Sequence, residues 1–534
     1  MRPGLPRFPQ RRSVRLAASI LFVLTTRLQP AASAQTEVSS GGVLRVTSRL
    51  VTLDVTVLDA KGNTVTDLKQ SDFTVYENGQ PQSIRNFDGF NTHALTPTLT
   101  ATSINNAADL ERVAPNAPVT ILVLDEFNTD FSDNAYARLQ LKKYLLAQPA
   151  VLKQPTTFVA ATDAGFQQIQ NYTLDRQRLI DGLAHLPAVL PGTLLRTQGQ
   201  PEGLAIRFAQ TLDSLQQIAE ASIGHKGRKN IIWVGRGFTS IDLQNEPAHQ
   251  VDLIQHAAER TVNLLREAHV TVYSVDPTLS TKLVADIDDT ATTVDAAAFA
   301  AETHDPTDPF DGTVSFNTIA PLSGGRAFSM FNDLDQEIAT SVTEGSAYYS
   351  IAYVPTAEID ADHPYRRIDV KLDRPGLTVI TRHGYYSVTP PPPALSSHQE
   401  LKSEGYDIGS ALGSGITYTG LALSAAVSSS NPTECIVQVA TRNIQWDTQP
   451  DGTTSAHLTL VAVAFDAHNK PLGNPSKKDI VARLKDISKL EQLPFATLTV
   501  NIPQQKNAKS IRIAVRDVAT GKLGTAELDL SPEH

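Results

Sequence analysis

One stretch of the sequence decides the fold: Val119-Thr-Ile-Leu-Val-Leu-Asp125, followed by Glu126-Phe-Asn-Thr-Asp130. The run is almost continuously apolar, which is typical of a strand buried on both faces of a parallel sheet. Asp125 ends the run, and a polar loop follows it. Because ligands of open α/β sheets bind beyond the carboxyl ends of the strands, the stretch also locates a candidate site.

Apolar strand patterns continue after this strand and alternate with helical patterns. Further apolar runs predict strands at Thr157–Ala161, Asn230–Gly235 and Val270–Val275. Helical patterns lie between or around them, at residues 136–146, 175–186, 204–221 and 251–268. Alternation of strands and helices favours a parallel sheet with helices on its faces. We therefore predict a Rossmann-like, doubly wound α/β domain over residues 116–345.

The flanking segments have the period-two pattern of β structure. It is present in residues 43–95, where Glu77-Asn78-Gly79 indicates a hairpin turn, and it returns in residues 346–389. These segments enclose the α/β domain in the sequence, so we expect their strands to pair. The prolines at 390–393 predict a stiff linker over residues 390–400. Alternating strands then predict a C-terminal β-sandwich over residues 401–534.

The first 34 residues have the pattern of a secretory signal peptide. Basic residues including Arg11 and Arg12 precede an apolar run, Leu16–Leu24, and Ala32-Ser-Ala34 is a small-residue cleavage pattern. An uncleaved membrane anchor is the alternative. Cleavage would remove six arginines and no acid, changing the formal net charge from −10 to −16. No later segment is apolar for long enough to span a bilayer, so we expect a secreted or periplasmic protein without a transmembrane segment.

Composition excludes several classes of protein. A length of 534 residues indicates two to four domains, and 41% hydrophobic residues exclude wholesale disorder. The acidic balance argues against a nucleic-acid partner. Cys435 is the only cysteine, so there is no intrachain disulfide, and a buried structural role is favoured over a reactive thiol. The sequence contains no nucleophile-elbow, zinc-protease or P-loop motif, and we predict a non-enzyme.

Several segments together resemble the von Willebrand factor type A (VWA) family. The strand ending at Asp125 and its loop resemble the first strand and metal loop of that domain. Gly227–Gly237 resembles the fourth-strand region, and Ala320–Phe328 resembles a segment near the end of the domain. With its flanks, the stretch from Val43 to Ser387 is similar to the VWFA-related family of exported acidobacterial proteins.

The resemblance implies adhesion or protein binding without chemistry of its own. Typical members hold a divalent ion with a D-x-S-x-S loop, a later Thr and an Asp after the fourth strand. Mg²⁺ suits such oxygen ligands and keeps one position open for a partner's carboxylate. The candidate metal ligands carried over to this sequence are Asp125, Asn128, Thr129 and Thr197, with Thr193 as the alternative to Thr197.

This sequence departs from the family's metal pattern at two places. Phe127 occupies the first Ser position and cannot ligate, and Arg236 stands where the later Asp is expected. Three states of Asp125 stay open: a degenerate site for Mg²⁺ or another divalent cation, a metal-free salt bridge with Arg236, and a simple loop cap. The candidate binding-loop residues are Glu126, Phe127, Asp130 and Arg236.

The sequence leaves three functions open. We expect a non-enzymatic protein-binding or adhesion protein that uses this loop edge against an unidentified protein ligand. A structural envelope component is the alternative, and a periplasmic hydrolase with an unrecognised carboxylate pair is a further one. An enzyme requires a concave pocket with several titratable groups, whereas a structural component tolerates any change in the loop.

Overall fold

The structure is a computed structural model that describes residues 50–95, 98–163, 165–188, 191–197, 201–238, 240–278, 308–329, 333–358, 360, 364–390, 397–448, 453–484, 490, 492–503 and 505–530. The strands are β1 (Val51–Leu58), β2 (Phe73–Glu77), β3 (Gln80–Gln82), β4 (Ile84–Asp88), β5 (Val119–Asp125), β6 (Val151–Thr162), β7 (Gly165–Asp175), β8 (Lys229–Val234), β9 (Ile241–Asp242), β10 (Val270–Val275), β11 (Thr313–Val314), β12 (Ala327–Phe328), β13 (Tyr349–Tyr353), β14 (Tyr365–Leu372), β15 (Thr378–Ile380), β16 (Gly384–Tyr386), β17 (Leu423–Val427), β18 (Glu434–Ala440), β19 (Asp447–Thr448), β20 (Thr454–Phe465), β21 (Pro471–Leu484), β22 (Phe495–Asn501), β23 (Ser510–Asp517) and β24 (Leu523–Asp529). The helices are α1 (Ala107–Val113), α2 (Phe131–Ala147), α3 (Arg176–His185), α4 (Gly192–Thr197), α5 (Pro201–Ser222), α6 (Ala248–Glu267), α7 (Phe316–Ser323), α8 (Leu334–Ser346) and α9 (Ser397–Ser414).

The central sheet is mixed, with the strand order β12-β10-β8-β5-β6-β7. Strand β5 lies inside it, parallel to β8 on one side and to β6 on the other. Every residue of β5 is buried, as its apolar run predicts. The edge strand β7 is antiparallel to β6 and was not predicted from the sequence. The prediction of α/β structure with several sheets is confirmed, but this sheet is mixed rather than wholly parallel.

Helices cover both faces of the central sheet. On one face, β5 and β8 pack against α5, α6 and α7, in a core that includes Leu215, Val262 and Ile319. On the other face they pack against α2, α3 and α8, through residues such as Leu141 and Ile338. The sheet therefore buries both of its faces, and only the ends of its strands and its edges remain for function.

Two four-stranded sheets combine strands from both flanks of the α/β segment. One has the order β15-β1-β13-β4, and the other has the order β16-β14-β2-β3. Strand β1 pairs antiparallel with β13, with Leu53 opposite Ile351, and β14 pairs antiparallel with β2. Leu53, Val75, Tyr349 and Ile368 share one core between the two sheets. The boundaries of separate domains stay a prediction.

The C-terminal region has a three-stranded sheet, β17-β18-β22, and a second sheet built on β19-β20-β23-β24 with β21 paired to β20. Their facing side chains share a core that includes Cys435, Val437, Leu460 and Ile513. The single cysteine is therefore buried within this core.

The predicted linker at 390–400 and sandwich start at 401 require a correction. Helix α9 occupies Ser397–Ser414, across the predicted boundary. Ile408, Ala411 and Leu412 are buried at the i, i+3, i+4 spacing of a helix face, a signal that the preceding prolines concealed. The part of the linker at residues 391–396 lies outside the described residues.

Helix α1 lies in the polar segment between β4 and β5, where the sequence pattern did not predict a helix. The Asn106 side chain caps α1 by accepting a hydrogen bond from the Asp109 N–H, and Leu110 is buried beneath the helix. The predicted signal peptide lies outside the described residues. No helix in the described part of the chain is long and apolar enough to cross a membrane.

Candidate functional site

The candidate site lies where β5 and β8 end side by side. Asp125 is the last residue of β5, the loop Glu126–Asp130 follows it, and α2 begins at Phe131. The turn after β8, Gly235–Gly237, lies against this loop, because the Arg236 N–H donates to Thr129 Oγ1 at 3.2 Å. Parallel pairing of the two strands brings both turns to one edge of the sheet.

Four donors of the protein surround the Asp125 carboxylate, which is fully buried. Oδ1 accepts from the Asn128 N–H at 2.9 Å. Oδ2 accepts from Trp233 Nε1 at 3.0 Å, from the Gly237 N–H at 3.0 Å and from Asn128 Nδ2 at 3.2 Å. Burial raises the pKa of Asp125, although these hydrogen bonds lower it.

This arrangement does not fit a metal ion. A divalent cation requires several oxygen acceptors that converge on one point. Here N–H donors converge on the Asp125 carboxylate and use its lone pairs, and donors repel a cation.

Of the other predicted ligands in the loop, Asn128 uses its amide nitrogen and Thr129 uses its hydroxyl oxygen in hydrogen bonds within the protein. Asn128 Nδ2 bridges Asp125 Oδ2 and Thr211 Oγ1, the latter at 3.0 Å, while Thr211 donates to the Arg207 carbonyl. Thr129 Oγ1 accepts from a backbone N–H. Asn128 Oδ1 is buried without a hydrogen-bond partner among the described residues. Thr197 lies in α4, and its side chain is outside the described part of the structure, as is that of Thr193.

Two of the predicted binding-loop residues are buried. Phe127 packs in the core with the α5–α7 face of the sheet. Glu126 forms an ion pair with Arg138 of α2. Burial raises the pKa of Glu126, and the Arg138 guanidinium lowers it. Neither side chain is therefore exposed at the surface of this edge.

The surface of this edge is formed by other residues. The Arg236 side chain is exposed, and among the described residues no ion pair joins it to Asp125. Asp130 is half-buried at the start of α2. Phe131, which the sequence analysis did not single out, is 50% exposed. An arginine and an aromatic ring therefore flank the buried loop.

A second arginine lies behind this surface. Arg207 of α5 is buried, and its Nη1 has no hydrogen-bond partner among the described residues. Burial lowers the pKa of Arg207, and the positive charge of Arg236 lowers it further. Sequence reasoning missed this residue because a lone arginine on an amphipathic helix has the pattern of an exposed side chain.

Gly235 explains how the two turns approach so closely. Its φ is 154°, and a Cβ at this position would lie 2.2 Å from the Asp125 Cβ. Only glycine allows this approach. Gly235 was therefore the signal in the sequence that the backbone after β8, and not a bound ion, packs directly against Asp125.

Comparison with known proteins adds little to the geometry. A solved structure of the SpRpn10 VWA domain matches with 12% sequence identity and a TM-score of 0.15, covering 30% of this chain and 88% of that one. This weak likeness to a VWA domain carries no structural argument. No family model and no curated protein matches the chain.

Proposed function

We propose that the chain is an exported, non-enzymatic protein-binding protein that recognises its partner without a metal ion. The contact surface is the edge where β5 and β8 end, and its central side chains are Arg236 and Phe131. In this proposal the arginines take the place of the ion that a VWA domain would offer to a partner's carboxylate. The export and the VWA relationship rest on the sequence pattern alone.

The observation that carries the proposal is the exposure of an arginine, Arg236, and an aromatic ring, Phe131, at this edge. Arginine and aromatic side chains are enriched in protein interfaces, and they dominate binding energy there. Arg207 adds a buried cationic N–H that has no hydrogen-bond partner among the described residues, and an unpaired buried group of this kind is costly. A carboxylate that approaches past Arg236 would pair with this N–H and would reduce the repulsion between the two guanidiniums.

A hydrolase is disfavoured by the same geometry. A reacting carboxylate must reach a substrate or an attacking water. Asp125 and Glu126 are buried and bonded to donors of the protein, and the only exposed group among the four titratable candidates of this edge is Arg236. The structural-component alternative differs from the proposal in one prediction, since it expects no effect of a substitution at Arg236.

A site-specific photocrosslink tests the proposal. A photoreactive phenylalanine analogue at Phe131 should give a discrete crosslinked product in cells of the source organism. The same analogue at Leu139, which is also exposed on α2, is the matched control. Arg236→Glu should abolish the product at position 131, whereas Lys142→Glu should preserve it. Equal products at both positions, or a product that survives Arg236→Glu, would contradict the proposal.

A further inference from the structure

A large groove separates the α/β part of the chain from the C-terminal sheets. Its volume is about 1180 Å³, and one wall is formed by α1, β7 and the loop after α5. The opposite wall is formed by the end of α9, the start of β17 and residues of β24. Small-molecule sites usually have volumes of about 300–1,000 Å³, so this groove is large enough for a polymer.

The groove follows the edge of β7 and not one of its faces. Successive side chains of a strand point to opposite faces, so a groove over one face would touch alternate residues. This groove is lined by five consecutive residues, Gly165–Ile169, and also by Asn171. On the other wall, Leu421–Ala425 and Thr525–Glu527 are consecutive as well. Strand edges therefore face one another across the groove.

The outer edge of β7 has no paired strand among the described residues, and α9 contacts β7 without forming such a pair. Strand β7 is the last strand of the central sheet, and it pairs only with β6 among the described strands. No backbone hydrogen bond links Phe166–Ile169 to an element across the groove within the described residues. An unpaired edge of this kind is a template for an additional strand, and β-strand addition is a common mode of peptide recognition.

The charge of the lining is opposite to that of the whole chain. The charged residues in the groove wall are Arg112, Lys226, Arg442, Arg512, Glu111 and Glu527. Arg512 is paired with Glu527, whereas Lys226 and Arg442 are exposed and have no ion pair with a described acidic residue. The groove is thus cationic in a protein with a net charge of −10, and it favours an acidic ligand.

We propose that this groove binds an extended acidic peptide segment, which adds to β7 as a further strand of the central sheet. Backbone hydrogen bonds to Phe166–Ile169 supply affinity, and Lys226 and Arg442 select acidic side chains. At about 3.3 Å per residue, the stretch from Gly165 to Asn171 pairs with a segment of roughly six or seven residues. None of the residues that line the groove belongs to the Arg236 edge, and this inference does not depend on the proposed function.

Fluorescence anisotropy with a labelled (Glu-Val)₅ peptide and the full chain tests this site. The peptide should bind, and (Lys-Val)₅ should not. Lys226→Glu and Arg442→Glu should each weaken binding about tenfold at low salt, because a like charge replaces an attractive one. Lys61→Glu reverses an exposed cation on a turn far along the chain from the groove residues, and it should leave the affinity unchanged.

Backbone methylation separates strand addition from simple charge attraction. A strand edge uses the N–H groups of alternate residues. Of two (Glu-Val)₅ peptides, one N-methylated at every Glu and one at every Val, at least one should therefore lose at least tenfold in affinity. The proposal fails if (Glu-Val)₅ does not bind at 1 mM, if both methylated peptides bind as well as the parent, or if (Lys-Val)₅ binds equally.

Two further outcomes would also overturn it. Loss of peptide binding in Arg236→Glu, with Arg442→Glu unaffected, would assign the peptide to the other edge. A dimer in light scattering that competes with the peptide, and that Lys226→Glu disrupts, would show that a second copy of this chain occupies the groove. Circular dichroism of each variant verifies that the fold is retained.

Discussion

Substitution of Asp125 tests whether this carboxylate serves the fold or a metal ion. Asp125→Asn keeps the shape of the side chain and can keep one oxygen at the position of Oδ2, where three donors meet. Its amide nitrogen then faces the Asn128 N–H, which loses its acceptor. Two donors are then unpaired, the Asn128 N–H and the new amide nitrogen, at about 1–3 kcal/mol each. Because the substitution also removes the cost of burying a charge, we expect a net loss of about 2 kcal/mol of unfolding free energy.

Asp125→Ala removes the acceptor for all four hydrogen bonds. The full sum of four unpaired donors is an upper limit, because removal of the carboxylate also removes the cost of burying its charge. We therefore expect a loss of about 4 kcal/mol, roughly twice that of the asparagine variant. The order of the two variants is the informative result, since both remove the charge but only alanine removes every acceptor.

The assay is denaturant unfolding followed by tryptophan fluorescence. The chain has two tryptophans, Trp233 beside Asp125 and Trp446 in the C-terminal region. A Trp446→Phe background makes the signal report on the α/β part alone, which avoids a mixture of domain transitions. Each variant is measured with EDTA and with Mg²⁺.

The comparison of unfolding in EDTA and in Mg²⁺ can refute the assignment of Asp125 to the fold. Binding of an ion to the native state would stabilise it by about 2.7 kcal/mol at a concentration of 100 Kd. We expect no difference between EDTA and Mg²⁺ in the wild-type chain. Stabilisation by Mg²⁺ that disappears in Asp125→Ala would show that the carboxylate is a ligand and that its hydrogen bonds rearrange around the ion.

Three other predictions concern buried groups. Burial lowers the pKa of Lys229 to about 7, so the folded chain binds fewer protons than the unfolded chain between about pH 7 and 10.5. The free energy of unfolding should therefore rise in this range by about 1.4 kcal/mol per pH unit. Lys229→Met should remove this slope in denaturant titrations at several pH values. Burial raises the pKa of Asp54, but its basic neighbours lower that pKa more, to about 2. The ionised carboxylate should therefore contribute roughly 2 kcal/mol to stability above about pH 4, and this contribution should vanish as the pH falls through 2. Asp54→Asn should lack this acid-dependent loss of stability. Gly235→Ala should destabilise the fold by about 3 kcal/mol or more in thermal and denaturant unfolding, because its Cβ would overlap that of Asp125, whereas Gly409→Ala, which meets open space, should be neutral or slightly stabilising.

Hydrophobic pattern was sufficient for the buried strands of the fold. The runs that predicted strands before Asp125, at Asn230 and at Val270 correspond to β5, β8 and β10, all of whose residues are buried. Such strands have apolar side chains on both faces, so their pattern does not depend on what packs against them. Helices with one apolar face were located within a few residues because the i, i+3, i+4 spacing of that face is present in the local sequence.

The candidate site shows where pattern reasoning ends. The sequence identified Asp125 and the substitution of Arg236 for an expected acid, but it could not show which groups meet the carboxylate. That outcome depends on Trp233, which reaches Asp125 from the neighbouring strand, and on a backbone N–H brought near by Gly235. Contacts between residues far apart in the sequence depend on packing, and the hydrophobic periodicity of a local segment contains no information about them.

Strand β7 was missed for a reason that bears on its role. Its sequence, Gly165-Phe-Gln-Gln-Ile-Gln-Asn-Tyr-Thr-Leu-Asp175, is rich in polar residues and lacks a clean alternation. A strand inside a sheet has two paired edges and apolar neighbours, whereas an edge strand borders solvent on one side and needs fewer apolar side chains. Polar side chains along an unpaired edge protect it from indiscriminate pairing, yet they leave its backbone groups available to a matching ligand. The weak pattern and the free edge thus have one cause, and an acidic peptide that pairs with β7 is the direct test of that link.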